Sequence, residues 1–406
     1  MDALYLLSIP FVSAFNVSQI FIIPLMLALL GLVWYGGTGR LDRLHLIQAD
    51  FLMLFFLACV LISTAVNLPH LSAKNLNHVL AVCAGYLIFY LGAERLTQHL
   101  SIERVLHLLF IGYLISTIFG LLEFVLVNFT SINLNDFVFR PAVEDYTPGF
   151  LDIVLIRARS LFEESGYFAA YMAMMAPLMA FYLWKIRTER WLRVLFVVLT
   201  LASYFAAFSV SLFIFLPFAV AVTVVLRTLQ EGRITRGALI SFAILTLIAI
   251  VVLSSPVLME LLFLRKFEGG SFQDRNEKFA ATLDLVMDAD WWRVVFGHGP
   301  GSYFNLGIKP AISVYLNYLR DLGVVGLSAY LLLMGFVLVD LLRDRSPFGV
   351  ALFVSALVIQ LFYISTPIYF LPYYFIPMLL YRMRIVRGRN PERTPAAPLS
   401  AAGSAG

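Results

Sequence analysis

The stretch from Arg157 to Phe168 sets Arg157, Arg159, Glu163 and Glu164 directly before a long apolar run. If a helix opens near Glu163, its N-terminus adds about half a positive charge and several free N–H donors at the same place. A glutamate in a first helical turn is an ordinary partner of the helix dipole, which accounts for one of the two acids. It does not account for two arginines a few residues upstream. Guanidinium groups grip phosphate oxygens in pairs, and a helix N-terminus binds the same anion through its amides. A carboxylate beside such a site is placed to take a proton from a hydroxyl group.

Two later stretches carry further chemistry. Residues 271–290 have the pattern of an amphipathic helix, with Asp274 as cap, Glu277 three positions on, and Phe279, Leu283 and Val286 at helical spacing. Arg275 lies in its first turn, and Trp291 and Trp292 follow, suited to a membrane interface. Next comes a glycine-rich turn, Gly297, His298, Gly299, Pro300, Gly301, whose amides can approach a phosphate closely, although a plain tight turn uses the same residues. His298 is the one histidine of six beside such a turn in an outer loop. The third stretch, 313–326, carries Arg320 and Asp321 into an apolar span. Ionisable groups at membrane depth are expensive and usually functional. Neighbours in a helix do not face one another, so each is expected to have its own partner.

These residues are embedded in a chain of 406 residues that is 61% hydrophobic and 13% charged, with mean hydropathy +0.88. Soluble domains run near 45–50% apolar and about 25% charged, so the expectation is an all-α integral membrane protein. Apolar runs of roughly 20 residues suffice to span a bilayer. Residues 3–36, interrupted by Pro10, Asn16 and Pro24, form either one span from about Asn16 or a broken pair. Spans follow at about 50–66, 76–93, 104–127 and 164–184, a hairpin of two short helices within 194–227, spans at 237–256 and 312–340, and a pair within 347–381. That makes 11 or 12 spans, in a single polytopic domain over 1–383 with a basic, disordered cytoplasmic tail at 384–406. The apolar N-terminal segment lacks a basic n-region and a small-residue cleavage site, so the first span is expected to act as its own insertion signal.

Cys59 and Cys83 fall inside apolar runs and form neither a disulfide framework nor a zinc spacing. The net charge of +4 lacks the aromatic–basic stripe of a nucleic-acid binder. It is topological: of 29 Lys and Arg residues, eighteen fall in one set of loops, which the positive-inside bias makes cytoplasmic. Two long loops, 128–163 and 257–311, then lie outside, and they hold nine of the ten positive charges on that side. Positive charge retained there, against the bias, points to use. Glu123, alone in its apolar run, is read as snorkelling from the outer end of its span.

In their order, these stretches resemble the O-antigen polymerase and ligase superfamily of multispanning glycosyltransferases. Arg159 to Ala169 is similar to the family's arginine and Phe-x-Glu-Pro-Ser segment, with Glu164 at the acidic position and Ser165 where proline is usual. Ser209 and Ser211 are similar to its Ser-x-Ser helix opening. Asp274 and Arg275, the amphipathic helix and Gly297 to Tyr303 resemble its outer-loop arginine and glycine-rich turn, and Tyr315 to Leu327 its late Tyr-Leu span. The resemblance covers about residues 50–380. Ligases carry a His-Asn pair before that late Tyr-Leu, where this chain has Ile312 and Ser313, so the likeness is closer to a Wzy-type polymerase.

The resemblance implies a GT-C-like architecture in a bacterial inner membrane, with the site facing the periplasm. The implied reaction moves a glycan from undecaprenyl diphosphate onto a lipid-linked repeat unit, or, in the ligase alternative, onto lipid A-core or protein. Arg157, Arg159, Arg275 and Arg320 are then expected to hold the diphosphate, Glu164 to serve as base with His298 in reserve, and Gly297, Gly299 and Gly301 to form the turn. No metal or other cofactor is required, and a chain-length regulator is an expected partner alongside the lipid bilayer. A flippase for lipid-linked glycans is the alternative from another class, although no internal repeat supports it.

Overall fold

The computed structural model describes residues 1–14, 22–39, 44–130, 153–187, 189–232, 270–367 and 371–389, with isolated positions between 132 and 150. The expected span at 237–256 and the chain after 389 lie outside the described residues. In a hydrocarbon environment every backbone polar group must be satisfied within its own segment, and this chain answers with helices. In order they are α1 (Asp2–Ser8), α2 (Ile23–Gly37), α3 (Gln48–Asn67), α4 (Ala73–Thr97), α5 (Ile102–Phe129), α6 (Ser165–Ile186), α7 (Arg190–Ala207), α8 (Val210–Glu231), α9 (Gly270–Met287), α10 (Trp291–Phe296), α11 (Tyr303–Leu306), α12 (Val314–Arg343), α13 (Pro347–Phe362) and α14 (Ile376–Arg389). The one sheet among the described residues is a small antiparallel hairpin of Gly149–Phe150 with Ile153–Val154. Seven described helices are long and apolar enough to cross a membrane, and α2 and α13 are shorter apolar helices.

Several boundaries differ from expectation for local reasons. Residues 3–36 form the broken pair, α1 and α2, with Pro24 in the first turn of α2, where its missing N–H costs nothing. The break expected near Ser209 is present: Phe208 takes a left-handed φ of 41° and ends α7, and Ser209 opens α8. The two helices are not short, however, at 18 and 22 residues, and each is long enough to span. Helix α9 begins at Gly270, so Asp274 lies inside it and does not cap it. The tail expected from residue 384 is helical as far as Arg389, because Arg384 pairs with Asp344 and the Arg387 guanidinium donates to the carbonyl of Thr97 at 3.0 Å.

One continuous apolar core joins the helices. Helix α6, almost wholly buried, packs against α13, α7 and α8, while α12 packs along α3 and takes α10 against its first half. The end of α3, the start of α4 and the first part of α12 meet at one end of the bundle, where Ser63, Asn67 and Asn75 reach residues of 297–321. The opposite end holds a buried ion network. Arg382, fully buried on α14, pairs with Asp50 of α3, lies 3.5 Å from Glu94 of α4, and donates to the carbonyl of His45 at 2.8 Å. Tyr90 donates its hydroxyl to Asp50 at 2.7 Å. Counting Arg382 as a topological charge therefore misses its role as a tie between three helices.

Candidate functional site

The first motif is built on a strained corner. Ser160 takes a left-handed φ of 54°, rare for a residue with a side chain. Glu123, buried in α5, holds it there: its carboxylate accepts the backbone N–H of Arg159 at 2.8 Å and of Ser160 at 2.6 Å. The Ser160 hydroxyl donates to the Ser116 carbonyl at 2.6 Å, and Gly120 leaves room for the Phe168 ring, which would lie 2.8 Å from an added Cβ. The snorkelling reading of Glu123 is thus corrected. Its carboxylate points inward because two loop amides need an acceptor.

From that corner the chain turns into α6. Glu164 occupies the N-cap with extended geometry, and its carbonyl accepts the N–H groups of Tyr167 and Phe168 at 3.2 Å. Ser165 is the first helical residue, a position at which proline is tolerated. The charges of Arg157, Arg275, Lys278 and Arg159 all act on the Glu164 carboxylate. Arg275 and Lys278 are supplied by α9, so the tertiary structure does bring together three of the four arginines expected at the site. Glu164 has an open face, yet the protein on its other sides desolvates it and pushes its carboxyl above the ordinary value, while the four cations pull the other way. Burial also raises Glu163, with help from the charge of Glu164 and against Arg159. Burial lowers Arg157, opposed by Glu164. A carboxylate held partly desolvated among cations, at a helix N-terminus, is suited to accept a proton next to a bound anion.

The glycine-rich turn has a different job from the one its composition suggests. Helix α12 breaks at Gly323, with φ 68° and ψ −170°, and the turn docks into the break. The N–H of His298 donates to the Arg320 carbonyl at 2.8 Å and that of Gly299 to the Asp321 carbonyl at 3.0 Å. Asp321 accepts the N–H of Gly301 at 2.9 Å and the Ser302 hydroxyl at 2.8 Å. The N–H of Gly297 is taken by the Arg293 carbonyl. With these amides committed, Gly297, Gly299 and Gly301 offer nothing to a phosphate. Their glycines are required by approach: a Cβ on Gly297 would lie 2.3 Å from the Asp321 carbonyl, and one on Gly323 would lie 2.3 Å from that of Val295.

Arg320 and Asp321 also depart from expectation. The guanidinium Nε donates to the Asp321 carboxylate at 2.7 Å, so the two neighbours pair with each other. The backbone break two residues on, at Gly323, removes the regular helical geometry that would keep them apart. Arg320 is fully buried, its Cζ 5.2 Å from the centre of the Tyr303 ring, and its contacts run to this turn and not to the cations around Glu164. His298 stands close to Arg293, Asp321 and Arg320; burial holds its imidazole below the ordinary value and the arginine charges add to this. The reserve base is thus neutral and lies with Arg320, not with Glu164.

Sequence reasoning missed the residues that hold the turn. Asn67 donates to the Gly297 carbonyl at 3.1 Å, Asn75 to those of Pro300 and Gly301 at 3.0 and 2.9 Å, and Ser63 to that of Asp321 at 2.8 Å. The available signal was polar side chains at adjacent span ends in α3 and α4. On the inner side of Glu164, Tyr167 and Tyr374 feel its charge. Tyr374 also borders a crevice lined by Tyr86, Tyr330, Gln360 and Tyr363. Among the described residues no group of three or more His, Cys, Asp or Glu is placed to hold a metal ion. No protein-family model matches the chain, and no curated protein matches it.

Proposed function

We propose that this chain is a membrane glycosyltransferase of the polysaccharide polymerase type, acting on glycans carried by undecaprenyl diphosphate at the bundle end that holds Glu164. The observation that supports this is the gathering of Arg157, Arg159, Arg275 and Lys278 around Glu164 at the start of α6. In this reading an acceptor hydroxyl oxygen attacks the anomeric carbon of the donor, and the bond to the diphosphate oxygen breaks. Undecaprenyl diphosphate leaves with the electron pair, and the hydroxyl proton passes to Glu164. The cations offset the charge gathering on the leaving group, a kind of stabilisation worth several kcal/mol in a preorganised site. Arg320, Gly297, Gly299 and Gly301 stay outside this step, because their polar groups are committed elsewhere or buried.

The test is chain extension of lipid-linked repeat units in membranes. Arg159→Ala and Arg275→Ala are each expected to lower extension by about 10- to 100-fold; undiminished extension in both overturns the assignment. Ile312 and Ser313, in place of a His-Asn pair, favour a polymerase over a ligase. A deletion strain separates the two: loss of a polymerase leaves single repeat units on the final acceptor, whereas loss of a ligase leaves polymer on the lipid carrier.

A further inference from the structure

Around the docked glycine-rich turn, three buried N–H-bearing nitrogens have no acceptor among the described residues: Nη1 and Nη2 of Arg320 and Nε of Arg293. Buried donors are nearly always paired, and a buried guanidinium with two bare nitrogens is costly. The arrangement around them is over-determined. Arg320 spends Nε on Asp321, and Asp321 is itself locked by Gly301 and Ser302, so the Nη1/Nη2 edge is held in one orientation. That edge matches two oxygens of one oxyanion.

The local charge says how many negative charges the place will take. Against the buried guanidinium edge itself, Arg320 and Arg293 contribute two positive charges and Asp321 one negative, an excess of one, with the Lys74 ammonium standing outside at Phe304. A diphosphate, carrying more, fits the four cations around Glu164 better. The Tyr303 ring covers the guanidinium, and its neighbour Phe304 is 42% exposed with the Lys74 ammonium 5.8 Å from its ring centre.

We infer that this neighbourhood binds a singly charged oxyanion, a carboxylate or a phosphodiester, gripped by Nη1 and Nη2 of Arg320 with Arg293 at its flank. The site is separate from the proposed transfer centre and does not depend on it. A carboxylate would arrive on an acidic sugar, a phosphodiester on a lipid headgroup.

Calorimetric titration of the full chain in detergent tests this, with sodium glucuronate, glycerophosphoglycerol and neutral glucose as probes. One or both anions are expected to bind at a single site while glucose does not; binding of one alone identifies the source, and binding of both shows a site that accepts either. Arg320→Lys keeps the charge and gives up the paired edge, so affinity is expected to fall by about tenfold or more. Should that variant fail to fold, Tyr303→Leu and Arg293→Lys are measured in its place, each expected to weaken binding about threefold. The inference is overturned by absence of anion binding to the native chain, by equal binding of glucose, or by full affinity in Arg320→Lys or in both replacement variants. Loss of binding in Arg275→Ala with Arg320→Lys unaffected would also overturn it, by assigning the anion to the Glu164 cluster.

Discussion

The Glu123 carboxylate accepts the backbone N–H of Ser160 at 2.6 Å from 37 positions earlier in the chain, and so holds a left-handed corner from which Arg157, Arg159 and Glu164 are aimed. Removing that acceptor leaves the buried Ser160 amide and the half-buried Arg159 amide unpaired and lets the corner relax. Glu123→Ala is expected to cost about 2–4 kcal/mol of stability, read as a lowered melting temperature in detergent. Chain extension should fall further than Glu123→Gln makes it fall, because both N–H groups go to the one oxygen Oε2 and the amide oxygen in its place can still accept them. Equal behaviour of the two variants would mean that the corner does not depend on the carboxylate.

Glu164 sets the pH dependence of the proposed reaction. As a base it must be deprotonated, and burial raises its carboxyl above the ordinary value of 4.5. Activity is therefore expected to be full well above that raised value and to be lost as pH falls through it, at a higher pH than an unperturbed carboxylate would give. Glu164→Gln should abolish the acid limb and lower the rate by about 100-fold or more, while Glu163→Gln should keep the limb. A limb unchanged in Glu164→Gln assigns it to another group.

Gly323 and Gly297 meet face to face, each without room for a Cβ. Gly323→Ala combines a left-handed backbone with a clash against the Val295 carbonyl at 2.3 Å, so it is expected to undock the turn. The cost should be several kcal/mol, in the upper range for single substitutions. Gly388→Ala, in α14 with nothing near its would-be Cβ, should be close to neutral within about 1 kcal/mol. Comparing the two melting temperatures checks the argument.

At the other end of the bundle, Arg382→Met strands Asp50 and Glu94 in the core. Breaking one side of a buried network is expected to cost about 3–5 kcal/mol. Arg384→Ala removes a pair whose arginine is 32% exposed and should cost no more than about 1 kcal/mol. A smaller loss for Arg382→Met than for Arg384→Ala would contradict the network.

Membrane class, helical architecture and most spans were legible in the chain itself, because the bilayer demands long apolar runs and internally satisfied backbone whatever the tertiary arrangement. The helix break before Ser209 and the pair at 347–381 were legible for the same reason: serine and proline interrupt an apolar run visibly. The crowding of Arg157, Arg159 and Glu164 at the start of a span was equally plain, since those residues are neighbours in sequence.

What only the tertiary structure decided were relationships across the chain. Arg275 joins Glu164 from α9, more than a hundred positions later, and no local pattern sets that distance. Glu123 looked like a stray acid until the corner at Ser160 supplied two amides in need of an acceptor. The glycine-rich turn looked open to phosphate because composition reports conformational freedom and not occupancy; its amides are taken by carbonyls and a carboxylate at the break in α12. Backbone donors are identical in every residue, so which of them remain free is decided by packing alone.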